Sequence, residues 1–359
     1  MLLLFAAAAN AGAQPCATPT AECTEWVGLA AGQPRVLIYR SYPLAVKNEG
    51  ITRALVIVHG GSRDADNHFR TALAAAFLAG ALTDTVLIAP RFASNTGESQ
   101  NSSGAVCRDR VAPDEAVWTC NDGRPESWRF GGPATGNNQV TAFDYADEIL
   151  RKLANKTIFP NLKRIVFSGH SGGGMFTLRY AMASDGNDKL GVPVTYVASN
   201  ATNVTYLDSL RPTAAAYPVT AAAPGYVPLA PSSPFVPFPD AKNCATFDDW
   251  PFGLKHRVGY SARIPDSQLI RQMAARNVIS LLGDLEILPF ASFDVTCPAM
   301  AQGPTRLARG LALTEHLNRN HGAHHKAVVV PNCGHNARCM FTADVALPLL
   351  FPEPRTGRP

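Results

Sequence analysis

Six short stretches are apolar at almost every position instead of at alternate ones: Arg53 to Val58, Thr85 to Pro90, Arg164 to Phe167, Pro193 to Ala198, Asn277 to Leu282 and Ala327 to Val330. Runs of this kind fit strands buried on both faces, as in a parallel sheet covered by helices. The intervening segments carry a helical spacing. The polar stretch Ser62 to Asn67 opens a helix carrying Phe69, Leu73, Phe77 and Leu82. Val140 to Leu153 places Phe143, Ala146, Ile149, Leu150 and Leu153 on one face. Met175 to Ala181, Thr305 to His316 and Phe341 to Leu350 read as further helices, and Pro34 to Tyr42 as an edge strand. Strands alternating with helices at this spacing predict right-handed crossover units and an α/β fold with a mostly parallel central sheet.

Two segments break the alternation. Residues 91–138 are long, irregular and rich in Ser, Asn, Gly and charge, and Trp118, Trp128 and Phe130 are expected to anchor them on the body. Residues 203–270 include eight prolines between Pro212 and Pro239, a density that forbids a continuous helix or a central strand. Phe235, Phe238, Phe247, Trp250 and Phe252 need a surface to cover, so this stretch reads as a cap over the carboxyl edge of the sheet.

Composition narrows the class. The chain has 359 residues, 46% of them hydrophobic, which supports a large core. A net charge of +4 without clustering leaves no nucleic-acid footprint. Met1 to Gln14 is an apolar run closing on Ala11-Gly12-Ala13, the pattern of an export signal with an A-x-A cleavage site. Residues 1–13 are therefore expected to be removed, and 14–359 to form the mature, secreted or periplasmic domain. No stretch is long enough to span a bilayer, and no membrane partner is expected. Eight cysteines agree with export and suggest four disulfides. Among roughly a hundred connectivities, local pairing favours Cys16–Cys23, Cys107–Cys120 and Cys333–Cys339, leaving Cys244 with Cys297. There is no Cys-x-x-Cys, and His321, His324 and His325 read as a solvated loop, so neither metal nor cofactor is expected. Asn101, Asn155, Asn200 and Asn203 open Asn-x-Ser/Thr sites.

The candidate chemistry centres on Gly169-His170-Ser171-Gly172-Gly173, which follows a buried strand and precedes a helix. Gly-x-Ser-x-Gly in that context is a nucleophile elbow. Gly283-Asp284-Leu285-Glu286 follows the strand ending at Leu282, and Gly334-His335 follows the last strand. Serine, acid and histidine in that order, each just past a strand, together with His59-Gly60-Gly61 after the first buried strand, make the chain resemble the α/β-hydrolase superfamily over nearly its whole mature length. The resemblance implies the α/β-hydrolase fold, with helices on both faces of the sheet and the proline-rich cap as an insertion. It also implies a catalytic triad of Ser171, His335 and an acid, with Glu286 favoured and Asp284 and Asp294 as alternatives. Gly172 and either Gly61 or Ser62 would supply the oxyanion hole, with His59 as a structural hydrogen-bonding residue. His170 and Trp250 are expected at the substrate pocket.

The activity implied is a secreted serine hydrolase of carboxylic esters, acting on a small-molecule or polymeric ester. Oxidised poly(vinyl alcohol) hydrolases, which split β-diketone carbon–carbon bonds, and polyhydroxyalkanoate depolymerases are similar groups that keep the same triad. A non-catalytic binding relative is disfavoured because Ser171 and His335 are both in place. Oligomeric state is not legible.

Overall fold

The apolar runs form six adjacent strands of an eight-stranded sheet in the computed structural model, which describes residues 14–97, 106–120, 123–213, 235–287 and 293–353. The expected signal segment, Asn101 and most of the proline-rich stretch lie outside the described residues. The chain begins with β1 (Thr24–Gly28), β2 (Arg35–Arg40), β3 (Arg53–Val58), α1 (Ala65–Leu78) and β4 (Thr85–Pro90). A short hairpin of β5 (Pro133–Ala134) and β6 (Asn137–Thr141) leads into α2 (Ala142–Leu153). Next come β7 (Arg164–His170), α3 (Gly172–Ala183), β8 (Val194–Ser199), a two-stranded ribbon of β9 (Leu210–Pro212) and β10 (Phe235–Pro237), and α4 (Asp266–Ala275). The chain closes with β11 (Asn277–Gly283), α5 (Cys297–Met300), α6 (Arg306–Asn320), β12 (Lys326–Val330), α7 (Ala337–Thr342) and α8 (Leu347–Leu350).

The strand order is β1-β2-β4-β3-β7-β8-β11-β12. β1 and β2 are antiparallel, and every pairing from β4 to β12 is parallel. The continuous apolar runs of the inner strands are explained by burial on both faces, whereas the run in β12, at the edge of the sheet, is only half-buried at Ala327, Val328 and Val329. In β3, Ala54, Val56 and Val58 join the core under α2, α3 and α4, while Leu55 and Ile57 join the core under α1, α7 and α8. α2 is opened by a capping box in which Thr141 and Asp144 satisfy each other's backbone N–H.

Three expectations need correction. The helix expected to carry Leu82 stops at Leu78, so Leu82 lies past its end, and Phe77 near that end is 73% exposed. The buried stripe of α1 runs through Ala65, Phe69, Ala72, Ala75 and Ala76, whose small side chains bring the helix close to the sheet, and Phe77 falls about 100° past that stripe. The single helix expected over Phe341–Leu350 is two short ones, because Ala343 turns extended and Pro348 sits in the first turn of α8, where its missing N–H is harmless. Residues 91–138 are not loop throughout, since they hold a 3-10 turn (Trp128–Phe130), β5 and the start of β6. Trp118, Trp128 and Phe130 of this segment are buried in the core, the two tryptophans against Phe92, and Phe130 under the Arg179 guanidinium.

Disulfides join Cys16–Cys23, Cys107–Cys120, Cys244–Cys297 and Cys333–Cys339. Asn200 and Asn203 are buried, which excludes glycosylation of the folded chain there, whereas Asn155 is exposed. Among the described residues, no helix is long and apolar enough to cross a membrane.

Candidate active site

Ser171 stands between β7 and α3 at φ 57°, a left-handed conformation costly for a residue with a Cβ. The turn is forced by close approach of backbone. A Cβ on Gly169 would lie 2.3 Å from the Gly173 carbonyl oxygen, and one on Gly173 2.1 Å from that of Val58. Only glycine fits either side of the serine, which is the physical content of the Gly-x-Ser-x-Gly pattern.

The turns after β11 and β12 bring two further groups to Ser171. Its Oγ lies 2.9 Å from His335 Nε2, and His335 Nδ1 is hydrogen-bonded to Glu286 Oε1. The other carboxylate oxygen, Oε2, accepts from Arg306 Nη1 at 3.1 Å, with neither side chain exposed. Asp284 is turned elsewhere and accepts from the backbone N–H groups of Asn332 (2.9 Å) and Cys333 (3.2 Å). Asp294 accepts from Asn203 Nδ2 and from Thr296, not from His335.

Gly172 opens α3, so its N–H has no partner within the helix. Gly61 lies alongside it, with its nitrogen 3.4 Å from where a Cβ on Gly172 would stand. The peptides on either side of Gly61 are each held by a side chain. His59 Nδ1 donates to the Gly60 oxygen (2.8 Å), and Arg63 Nη1 donates to the Gly61 oxygen (3.3 Å). Arg63 is itself locked to Asp109 at 2.6 Å. His59 Nε2 accepts from the Phe92 N–H, and burial pushes the imidazole down to about 3, so the ring is neutral and fixed in one tautomer. Ser62 is exposed on this turn.

A cavity of about 430 Å³ opens in front of Ser171 and Gly172. Met175, Phe252, Phe293, Val295 and Pro298 give it apolar walls, and Arg129, Asn203, Thr246, Asp294 and Thr296 add polar groups. Neither predicted pocket residue belongs to this lining. Trp250 is 3% exposed and packs in the core under the Arg179 guanidinium, and Phe252, two residues on, reaches the cavity instead. His170 is buried behind His335, with ring centroids 4.7 Å apart and Nδ1 3.0 Å from Ser199 Oγ. Burial, and then the neighbouring His335, hold His170 well below the usual histidine range.

Four residues were missed by the sequence reading. Asn200 accepts from the Gly283 N–H (2.9 Å) and donates to the Gly334 carbonyl (3.2 Å), so one side chain ties the Glu286 turn to the His335 turn. A polar residue just past a buried strand was a readable signal, the same one that marks Glu286 and His335. Arg306, Arg63 and Arg129 carried no such signal, because their roles depend on segments remote in sequence.

Solved structures with this architecture include poly(aspartic acid) hydrolase-1 from Sphingomonas sp. KT-1, with a TM-score of 0.55 and 17% identity, covering 91% of this chain and 97% of that one. LpqC, a poly(3-hydroxybutyrate) depolymerase from Bordetella parapertussis, gives a TM-score of 0.54 at 17% identity, covering 89% and 85%. At this identity the likeness is one of fold. No curated protein matches the sequence. The alpha/beta hydrolase family model matches residues 55–347, and the chain belongs to that family.

Proposed function

We propose that this protein is an exported serine hydrolase that cleaves carboxylic esters through an acyl-enzyme. The observation that carries the reading is the continuous hydrogen-bonded line Ser171 Oγ, His335, Glu286 at the mouth of the cavity. Ser171 attacks the ester carbonyl carbon while His335 Nε2 takes its proton. His335 then returns that proton to the departing alkoxide, and a water repeats the sequence to release the acid. Glu286 receives the Nδ1 hydrogen, fixes the tautomer that leaves Nε2 basic and stabilises the imidazolium. The Gly172 and Gly61 N–H groups hold the oxyanion, and each such donor is worth about 10²–10³ in kcat. His170 stays neutral by burial, so it adds no positive charge to oppose the imidazolium.

Export is supported by the apolar Met1–Ala13 run and the four disulfides. The segment 203–270 serves as the cap, and its Thr246 and Phe252 border the site where the acyl or alcohol group sits. The two similar solved structures are named for the hydrolysis of polymers, which supports including polyesters among the substrates.

The test is turnover of p-nitrophenyl esters of increasing acyl length by the wild type and by Ser171→Ala, with fluorophosphonate labelling alongside. Turnover and labelling that both vanish in Ser171→Ala support the reading. A folded wild type that neither turns over nor labels overturns it. Labelling without ester turnover rejects the ester assignment and turns the search to β-diketones, cleaved by the same three groups.

A further inference from the structure

Away from the cavity, three metal-ligating side chains converge on one point. Asp208 lies between β8 and β9, His316 lies in α6, and His321 caps the end of α6. His316 Nε2 is 3.1 Å and His321 Nε2 3.0 Å from the same oxygen, Asp208 Oδ2, and one ligand atom of each residue lies within 4.8 Å of the others. None of the three lines the cavity at Ser171.

We propose that Asp208, His316 and His321 form a structural zinc site that fastens the start of the 203–270 segment to α6. Tetrahedral zinc with ligands at about 2.0–2.1 Å sets neighbouring ligand atoms roughly 3.3 Å apart. The two histidine–Asp208 spacings are within a few tenths of an ångström of that, and the two imidazoles lie within 4.8 Å of each other, so a side-chain adjustment around Asp208 Oδ2 admits the ion. Two imidazoles and one carboxylate suit zinc, whereas calcium takes about 6–8 oxygen ligands. With three protein ligands the fourth position falls to water, and the partial exposure of Asp208 and His321 provides access for it.

The surroundings are built to hold these ligands. Asp208 Oδ1 accepts from the Leu210 N–H at 2.9 Å, which leaves Oδ2 directed at the histidines. The His316 ring is fully buried, packed against Phe235 (4.7 Å) and Tyr206 (5.0 Å). Asn320 Nδ2 lies 2.8 Å from His316 Nδ1. A zinc-bound His316 carries its proton on Nδ1, and rotating the Asn320 amide by half a turn presents Oδ1 to accept it, the usual outer support of a ligating histidine. The bond would join two parts of the chain about a hundred residues apart. The helix it grips carries Arg306, the partner of Glu286, at its other end.

The experiment uses tag-free protein, dialysed against a chelator and then titrated with zinc chloride against a chromogenic competitor, with melting followed in parallel. One zinc per chain and a Tm rise of about 3–4 °C at zinc a hundredfold above its Kd are expected. His321→Ala, at a partly exposed helix end, should fold and lose both effects. His324→Ala, at the exposed histidine nearby, should keep them. Equal stabilisation by calcium, absence of saturable zinc binding in the wild type, or zinc binding that survives His321→Ala and disappears in His324→Ala would overturn the assignment. If Asp208→Asn fails to fold, the two histidine variants decide the matter by themselves.

Discussion

Arg306 and Glu286 form an ion pair with neither side chain in contact with solvent, and the Glu286 oxygen that Arg306 leaves free is the one bonded to His335. The arginine thus neutralises the carboxylate without competing for the histidine. Burial lowers the Arg306 pKa and the Glu286 carboxylate beside it acts in the opposite direction. Replacing Arg306 by Met leaves a buried carboxylate without its countercharge. Stability should fall by about 3–5 kcal/mol, and Arg306→Lys should restore part of it. Urea unfolding of the three proteins measures this, and a loss below about 1 kcal/mol would show that Glu286 does not rely on the pair.

The two carboxylates of Gly283-Asp284-Leu285-Glu286 should separate cleanly. Glu286→Gln keeps the shape but cannot stabilise the imidazolium, so kcat should drop by about 10²–10⁴. Asp284→Asn weakens two backbone hydrogen bonds to Asn332 and Cys333. Its cost should appear in stability, about 1–2 kcal/mol, with kcat within about threefold of wild type. Steady-state kinetics on one ester compares the two, and the reverse ranking would move the acid to Asp284.

That ambiguity shows where the sequence stops being readable. The central sheet was legible because burial on both faces leaves a one-dimensional trace in runs such as Arg53 to Val58. Ser171 and His335 were legible because glycine and strand context mark their turns. Which of Asp284 and Glu286 faces His335 depends on how a four-residue turn folds back on residues 332–333, and no local pattern encodes that. Trp250 and Phe252 are equally apolar and two residues apart, yet one packs in the core and the other borders the cavity. His321 read as a loop residue because its partner Asp208 is more than a hundred positions away.

Asn200 is expected to act on rate through geometry. Its amide holds the Gly283 N–H and the Gly334 carbonyl, so the Glu286 and His335 turns share one anchor. Asn200→Ala should lower kcat about tenfold with little change in KM, since misplacing catalytic groups costs the transition state more than substrate binding. A selective rise in KM would place Asn200 at substrate binding instead.

Acid should unfold the protein partly through His59. Its pKa is about 3 in the folded chain, against 6.5 when exposed. A depressed histidine binds its proton more readily when unfolded. Its contribution is therefore complete above about pH 6.5 and is lost as pH falls toward 3, at about 1.4 kcal/mol for each pH unit crossed. Wild-type stability should decline over this window, and His59→Gln should decline less steeply. Parallel slopes in urea unfolding at several pH values would remove His59 from the account.

The backbone at Ser171 offers a test that is independent of the reaction. Ser171→Ala and Ser171→Gly both delete the hydroxyl, so both lose the hydrogen bond to His335 and both should be inactive. They differ in the Cβ that Ala retains at a φ of 57°. Holding a side chain in that region costs about 1–3 kcal/mol, while the extra freedom of glycine in the unfolded chain takes back about 0.5–1 kcal/mol. Ser171→Gly should therefore be the more stable of the two by about 1 kcal/mol. Were Ala as stable as Gly, the turn would hold its serine without strain, and the flanking glycines alone would account for its geometry.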